Sequence, residues 1–180
     1  MRRDHRTGYD PDAPELQPLR PEHGAAVLEF ERADRDYFAR SISDRGDEFF
    51  EHFERHLEDA LAEQAAGTSA YYLLVDENGV VLGRFNLFDL HDGTARLGYR
   101  VAESASGHGV ATAAVEEMCV LAARVHDLHS LRAAVSSANV ASQRVLLSNG
   151  FVTVGPADPS DIGGKTGSWY LRDLGSERRP

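Results

Sequence analysis

The chain reads as a mixed α/β (α+β) domain: antiparallel strands first, one parallel strand–helix–strand crossover late, a C-terminal hairpin, and helices on both faces of the sheet. Three observations predict this. Two runs of β-formers, Tyr71–Val75 and Val80–Leu87, flank Asp76-Glu77-Asn78-Gly79, and Asn-Gly between such runs signals a hairpin. An apolar helical period after Gly109, reaching about Val125, is followed by the short apolar run Leu131–Val135. Strand, helix and strand in that order make a right-handed crossover with parallel edges. Between the strand Ala95–Val101 and that helix lies Glu103-Ser104-Ala105-Ser106-Gly107-His108-Gly109, a glycine-bearing turn at a helix start.

Taken in order, residues 1–14 are charged, carry Pro11 and Pro14, and read as a flexible tail. Leu16–Arg20 reads as a strand that Pro18 confines to an edge. A helix is expected from Pro21, with Ala25, Val27, Leu28 and Phe30 on its apolar side. A second helix is expected from Glu48 to Glu63, because Phe49, Phe50, Phe53, Leu57 and Leu61 recur at helical steps. Gly67 ends it. The turn His91-Asp92-Gly93 leads into the third strand of the meander. Asn139 and Gly150 bracket a helix over Val140–Ser148 as cap and stop. Phe151–Val154 and Ser168–Leu171 are strands joined by the glycine-rich loop Gly155–Gly167. Residues 175–180 form a second tail, which leaves a single domain over 15–174.

The 180 residues are enough for one sizeable core. No apolar run approaches the roughly 18 residues of a membrane span, and the charged N-terminus does not read as a secretory signal. Cys119 is the one cysteine, so no internal disulfide forms and a cytoplasmic setting is expected. The net charge of −10 argues against direct binding of nucleic acid and suits a cationic partner such as an amine. It serves solubility equally well.

The turn at Gly107 and Gly109 carries the chemistry. Glycine permits left-handed backbone and close ligand approach, and a helix start offers unpaired N–H groups with a partial positive charge. Such a turn can cradle a pyrophosphate. With Gly98-Tyr99 before it, the segment Glu103–Ala111 resembles the pyrophosphate loop Gln/Arg-x-x-Gly-x-Gly/Ala of the GNAT superfamily of acyl-CoA-dependent N-acetyltransferases. Gly109 and Ala111 occupy its last two named positions. The segment Asn139-Val140-Ala141-Ser142, whose helix ends in Gly150-Phe151, is similar to a second motif of the RimJ/RimL-like branch. Ser106 departs from the pattern, because it stands where the family has Gln or Arg.

The resemblance implies acetyl-CoA as co-substrate, no metal, and direct attack of a primary amine on the thioester in a ternary complex. The acceptor is a protein N-terminal amine or a small-molecule amine, and a homodimer is a common assembly of the family. It implies cofactor contacts from Tyr99, Arg100, Val101, Ser106, Gly107, His108, Gly109, Val110, Ala111, Thr112, Asn139 and Ser142, with a Val101 amide facing the thioester oxygen. With Ser106 lacking a long polar side chain, Arg100 or His108 is the candidate source of charge. Leu146 stands where many members carry a Tyr acid, so Ser142 is the candidate acid at the sulfur. The alternative for Ser142 is a first-turn hydrogen bond, and for Asn139 a helix cap alone. Arg96 stands where the branch often has Glu. Asp161, Glu103 and Asp89 are therefore the candidate bases, each also readable as a solvated surface carboxylate. These departures keep open a CoA-binding sensor with little turnover.

Other signals point elsewhere. His52 and His56 lack the Glu of a metal-binding helix, since Phe53 stands there, and read as a solvated face. His126 and His129 flank a helix end, where they would serve the dipole or solvent. Cys119 lies on a buried helix side. Of Trp169 and Tyr170, neighbours on a strand, one is expected inside. A nucleotide-binding domain is disfavoured, because the loop lacks the Lys-Ser/Thr of a P-loop and antiparallel strands precede it.

Overall fold

A computed structural model describes residues 12–175 and 177, so the expected tails at 1–14 and 175–180 lie largely outside the described residues. Seven strands form one sheet in the order β1-β2-β3-β4-β5-β7-β6. They are β1 (Glu15–Pro18), β2 (Ala70–Val75), β3 (Val81–His91), β4 (Thr94–Val101), β5 (Ser130–Ser136), β6 (Val152–Pro156) and β7 (Gly167–Asp173). Every neighbouring pair is antiparallel except β4 and β5, which run parallel. β7 lies between β5 and β6, so the last two strands close the sheet as a hairpin.

Turn chemistry sets the meander. Asp76 takes the amides of Asn78 and Val80 on its carboxylate while Gly79 sits at φ 81°, closing the β2–β3 hairpin. At the β3–β4 turn, Asp92 (φ 49°) and Gly93 (φ 72°) both adopt the left-handed conformation that a two-residue hairpin loop requires. They bring His91 opposite Thr94.

The helices are α1 (Gly24–Ala33), α2 (Arg35–Ala39), α3 (Asp47–Glu51), α4 (Phe53–Ala66), α5 (Val110–Arg124) and α6 (Val140–Ser148). Helices α5 and α6 cover one face of the sheet over Phe85, Leu87, Met118, Leu131, Leu146 and Phe151. Helices α1 to α4 cover the other over Val27, Phe30, Phe38, Phe53 and Leu73. Burying each such large side chain contributes roughly 1.5–3 kcal/mol. Among the described residues, no helix is long and apolar enough to cross a membrane.

Three local features differ from the sequence-based expectation. Pro21 opens a 3₁₀ turn, Pro21–His23, and the α-helix begins only at Gly24. The helix expected over Glu48–Glu63 is broken at His52 (φ −113°) into α3 and α4, and α4 runs on to Ala66. The break lets Phe49 and Phe50 lie under the guanidiniums of Arg45 and Arg35, at 4.6 and 4.8 Å, while Phe53 enters the core. His126 is not a solvent-facing helix-end residue: its ring meets Tyr72 Oη at 2.8 Å, and burial lowers its pKa. Tyr170 is the buried member of its pair, and Trp169 stacks under Arg132 at 5.0 Å.

Candidate active site

The parallel pairing of β4 and β5 lasts only from Thr94–Arg96 against Ser130–Arg132. Beyond it β4 keeps its partner β3, β5 keeps its partner β7, and the two strands diverge. The split is the candidate site. A cleft of about 380 Å³ occupies it, reaching from Leu97–Arg100 across to Ala133–Ser136. Helix α6 closes it with Asn139 and Ser142, the loop after α2 with Ile42, Ser43 and Arg45, and the turn Pro159–Ile162 with Asp161 and Ile162.

Strand periodicity sorts what faces the cleft. Ala102 N–H donates to Leu82 O at 2.8 Å, so alternation turns the amides of Val101 and Tyr99 toward the split. Among the described residues no strand pairs with them on that side, and theirs is the strand edge that the resemblance assigned to the cofactor. Side chains alternate between the faces in the same way. Phe85, Leu87, Leu97 and Tyr99 point toward α5, whereas Arg84, Asn86 and Phe88 lie opposite Arg100, Gly98 and Arg96 on the other face.

That second face is strongly charged. Glu31, on α1 and 1% exposed, accepts from Arg84 Nη1 at 2.5 Å, Arg100 Nη1 at 3.0 Å and Arg45 Nε at 3.2 Å. Burial pushes the Glu31 carboxyl up, but Arg100, Arg45 and Arg84 together outweigh it and hold the group below the ordinary glutamate range. Burial and then Arg45 repulsion lower Arg100 to about 10, with Glu31 opposing. Asn86 Oδ1 and Arg84 Nε are buried with no hydrogen-bond partner among the described residues. Arg96 stacks over Phe88 at 5.2 Å, and its Nε is 3.7 Å from Asp89, an ion-pair distance too long for a hydrogen bond.

On the α6 side, Ser142 Oγ and Tyr99 Oη are 2.8 Å apart, and Tyr99 Oη also reaches Ser142 O at 3.3 Å. Asn139 caps the helix by accepting from Ser142 N–H at 3.2 Å, which holds the serine at the cleft wall. Burial raises Tyr99 to about 12, with Ser142 opposing, so the phenol keeps its proton. Leu146 is fully buried in the core.

The cradle is built as its glycines suggest. Gly107 (φ 77°) and Gly109 (φ 75°) are left-handed, and a methyl group on either would project into open space. The amides of Val110, Ala111 and Thr112, in the first turn of α5, have no intrahelical acceptor. The first intrahelical bond runs from Ala113 N–H to Gly109 O at 3.0 Å. A row of unpaired N–H groups at the start of a 15-residue helix fits a pyrophosphate. Ser106 Oγ accepts from Tyr37 Oη at 2.9 Å, so α2 braces this loop. Arg100 Nη1 is bonded to Glu31, while His108 stays on the exposed loop.

Asp161 is an exposed carboxylate on the cleft wall. Glu103 pairs with Arg40 at 3.3 Å, Asp89 sits at φ 54° beside Arg96, and neither lines the cleft. Cys119 is fully buried, and burial pushes its thiol up to about 11. Glu31, Arg45, Arg84 and Asn86 escaped the sequence reading. Glu31 follows Val27 and Phe30 on the buried helical stripe, where a charge demands partners. Arg84-x-Asn86 places polar groups at alternate strand positions.

The profile of the acetyltransferase (GNAT) domain family matches residues 15–152, most of the chain. The chain belongs to the GNAT family. The GNAT fold is shared with the ribosomal-protein-S5-alanine acetyltransferase of Vibrio fischeri (TM-score 0.84, 19% identity, 93% of this chain and 96% of that one). It is also shared with Mycobacterium smegmatis RimJ in complex with a CoA disulfide (0.78, 20%, 90% and 86%). The spermidine N-acetyltransferase of Vibrio cholerae, in complex with CoA and spermine, is similar as well (0.76, 14%, 93% and 99%). No curated protein sequence matches significantly. As a GNAT domain the chain is an N-acetyltransferase that uses acetyl-CoA.

Proposed function

We propose that this GNAT domain, spanning residues 15–174, acetylates the α-amine of a protein or peptide N-terminus rather than a polyamine. The observation that carries this reading is the charge of the cleft wall: Arg45, Arg84, Arg96 and Arg100 line it, with Asp161 the one carboxylate among the lining residues. A nucleophilic amine must be neutral. At pH 7 that costs about 1 kcal/mol for an α-amine of pKa near 7.8, and about 5 kcal/mol for an alkylamine near 10.4. A cationic wall helps an amine shed its proton and repels a ligand with further ammonium groups.

Acetyl-CoA supplies the activated acetyl group. The amides of residues 107–112 would hold its pyrophosphate, and those of Val101 and Tyr99 would meet the pantetheine and the thioester oxygen. Ser142, hydrogen-bonded to Tyr99, would give a proton to the departing sulfur and take one back from water. Asp161 or water takes the proton released by the amine. Thiol release from acetyl-CoA, followed by mass spectrometry on peptides with free and blocked N-termini and on spermidine, tests the reading. Acetylation confined to the free α-amine is expected. Transfer to spermidine but to no peptide overturns it.

A further inference from the structure

We propose that the arginine group behind the cleft is a specificity subsite that binds a carboxylate on the acceptor, close to the amine being acetylated. The inference rests on the α-amine reading above and adds the chemical class of acceptor.

Three guanidiniums converge on Glu31, which leaves two positive charges unmatched at a place shielded from water. Side-chain exposure is 11% for Arg84 and 12% for Arg100, while Arg45 enters from the loop at 29%. Each gives Glu31 one nitrogen, and the rest of each N–H fork is uncommitted to any carboxylate among the described residues. Arg84 Nε is buried with no hydrogen-bond partner among those residues. Buried charge is ordinarily paired, and one glutamate cannot pair three arginines. All three line the cleft. An incoming carboxylate can therefore complete a charge balance that the chain leaves open, through the fork geometry suited to it.

Register gives the distance. Arg84 faces Arg100 across the β3–β4 ladder, and Asn86 faces Gly98 two residues along. At about 3.3 Å per residue, the backbone rung of the arginine pair lies about 7 Å from the Asn86–Gly98 rung, with both pairs of residues on the same face. Asn86 Oδ1, buried and unpartnered there, is an acceptor suited to the N–H of the attacking amine. A carboxylate about two strand positions from the amine corresponds to an acidic side chain at the second residue of an N-terminus. A free acidic amino acid offers the same chemistry.

The experiment compares amidated peptides that differ only in Glu, Gln or Lys at position 2, together with free glutamate and its amide. Rates and CoA-dependent binding are measured on the same enzyme preparation. We expect kcat/KM for the Glu peptide to exceed that of the Gln peptide by about tenfold or more, and that of the Lys peptide by more again. Arg45→Gln should cut the Glu/Gln ratio severalfold. As a ratio within one preparation, it is insensitive to how much of the variant folds. Preference for free glutamate over every peptide identifies an amino acid as the source of the carboxylate. Equal rates and equal affinities for Glu and Gln peptides overturn the subsite, as does a ratio untouched by Arg45→Gln. If no peptide is acetylated, the α-amine reading fails, and the subsite is still decided by calorimetry: a dissociation constant about tenfold lower for the Glu peptide in the presence of CoA supports it, and equal constants refute it.

Discussion

Replacing the glutamate at position 31 with glutamine tests the electrostatic reading of the cleft most directly. Unit charges about 4 Å apart at an effective dielectric constant of about 20 interact by about 4 kcal/mol. Glu31 makes three such contacts, to Arg84, Arg100 and Arg45, which offset its desolvation and the repulsion among the arginines. An amide in place of the carboxylate would keep the shape and lose the charge, leaving the three guanidiniums to repel one another in a buried setting. Removing one partner of a buried ion pair costs about 3–5 kcal/mol. At about 2–4 °C per kcal/mol for a domain of this size, the melting midpoint should fall by about 6–20 °C. Urea unfolding at pH 7 measures the loss as a change in midpoint at constant slope. The pH dependence has a definite sign. The folded pKa of Glu31 is depressed, so its stabilisation is complete above the unfolded value near 4.3 and disappears as pH falls through the folded value. The gap between wild type and Glu31→Gln should therefore narrow only in that acid window. A loss under about 1 kcal/mol at pH 7, or a gap that does not change with acid, would refute the buried-cluster argument.

Ser142→Ala should lower kcat by about 10- to 100-fold while leaving KM for acetyl-CoA within about twofold, and Tyr99→Phe should act in the same direction because the two hydroxyls share a hydrogen bond; steady-state kinetics with both substrates varied checks this. Gly109→Ala adds a left-handed strain of about 1–2 kcal/mol and places a methyl group in the open space of the cradle, so calorimetry should show CoA binding weakened by about tenfold or more. Asp161→Asn should slow transfer chiefly below the pKa of the acceptor amine, where proton removal limits the rate. Superimposable pH–rate profiles would exclude Asp161 as the base.

How much of this was legible in the sequence depends on the range of the interactions involved. Hairpins were legible because their turns are set locally, by Asp76 and Gly79 in the first and by Asp92-Gly93 in the second. The left-handed turn at Gly107 and Gly109 was legible for the same reason, although Tyr37 and Asp34 brace the loop before it from outside. The caps of α6 followed from Asn139 and Gly150. Helix α2 was missed, because five residues hold too short an apolar period to detect. Its place is set by distant contacts, Asp34 to the Glu103 amide at 3.1 Å and Tyr37 to Ser106 at 2.9 Å. The arginine cluster was hidden for a stronger reason. Glu31, Arg45, Arg84 and Arg100 come from a helix, a loop and two strands, and only the register of β3 against β4 brings Arg84 opposite Arg100. Tyr99 was expected at the cofactor but not as the partner of Ser142, because that pairing spans 43 residues across the split.

The acidic surface and the cationic cleft are two separate facts, and on the proposed reading the second governs binding. From a net charge of −10 a cationic partner follows only if the charge is spread where the partner binds. Exposed carboxylates act through water over a screening length of about 8 Å, whereas Arg84 and Arg100 are largely shielded from solvent and act on whatever enters the split at low dielectric. Inside the cleft the nearby guanidiniums therefore outweigh the more numerous but screened charges of the surface. The same field acts on reactivity. It lowers the pKa of an amine held beside it, so the wall that would attract an acceptor's carboxylate also favours the unprotonated nitrogen. On the proposed reading, an acceptor with a carboxylate near its α-amine gains the attraction and keeps only the part of the field that its own charge does not offset, whereas a polycation is repelled. On this argument charge selection and amine activation arise from the same arginines.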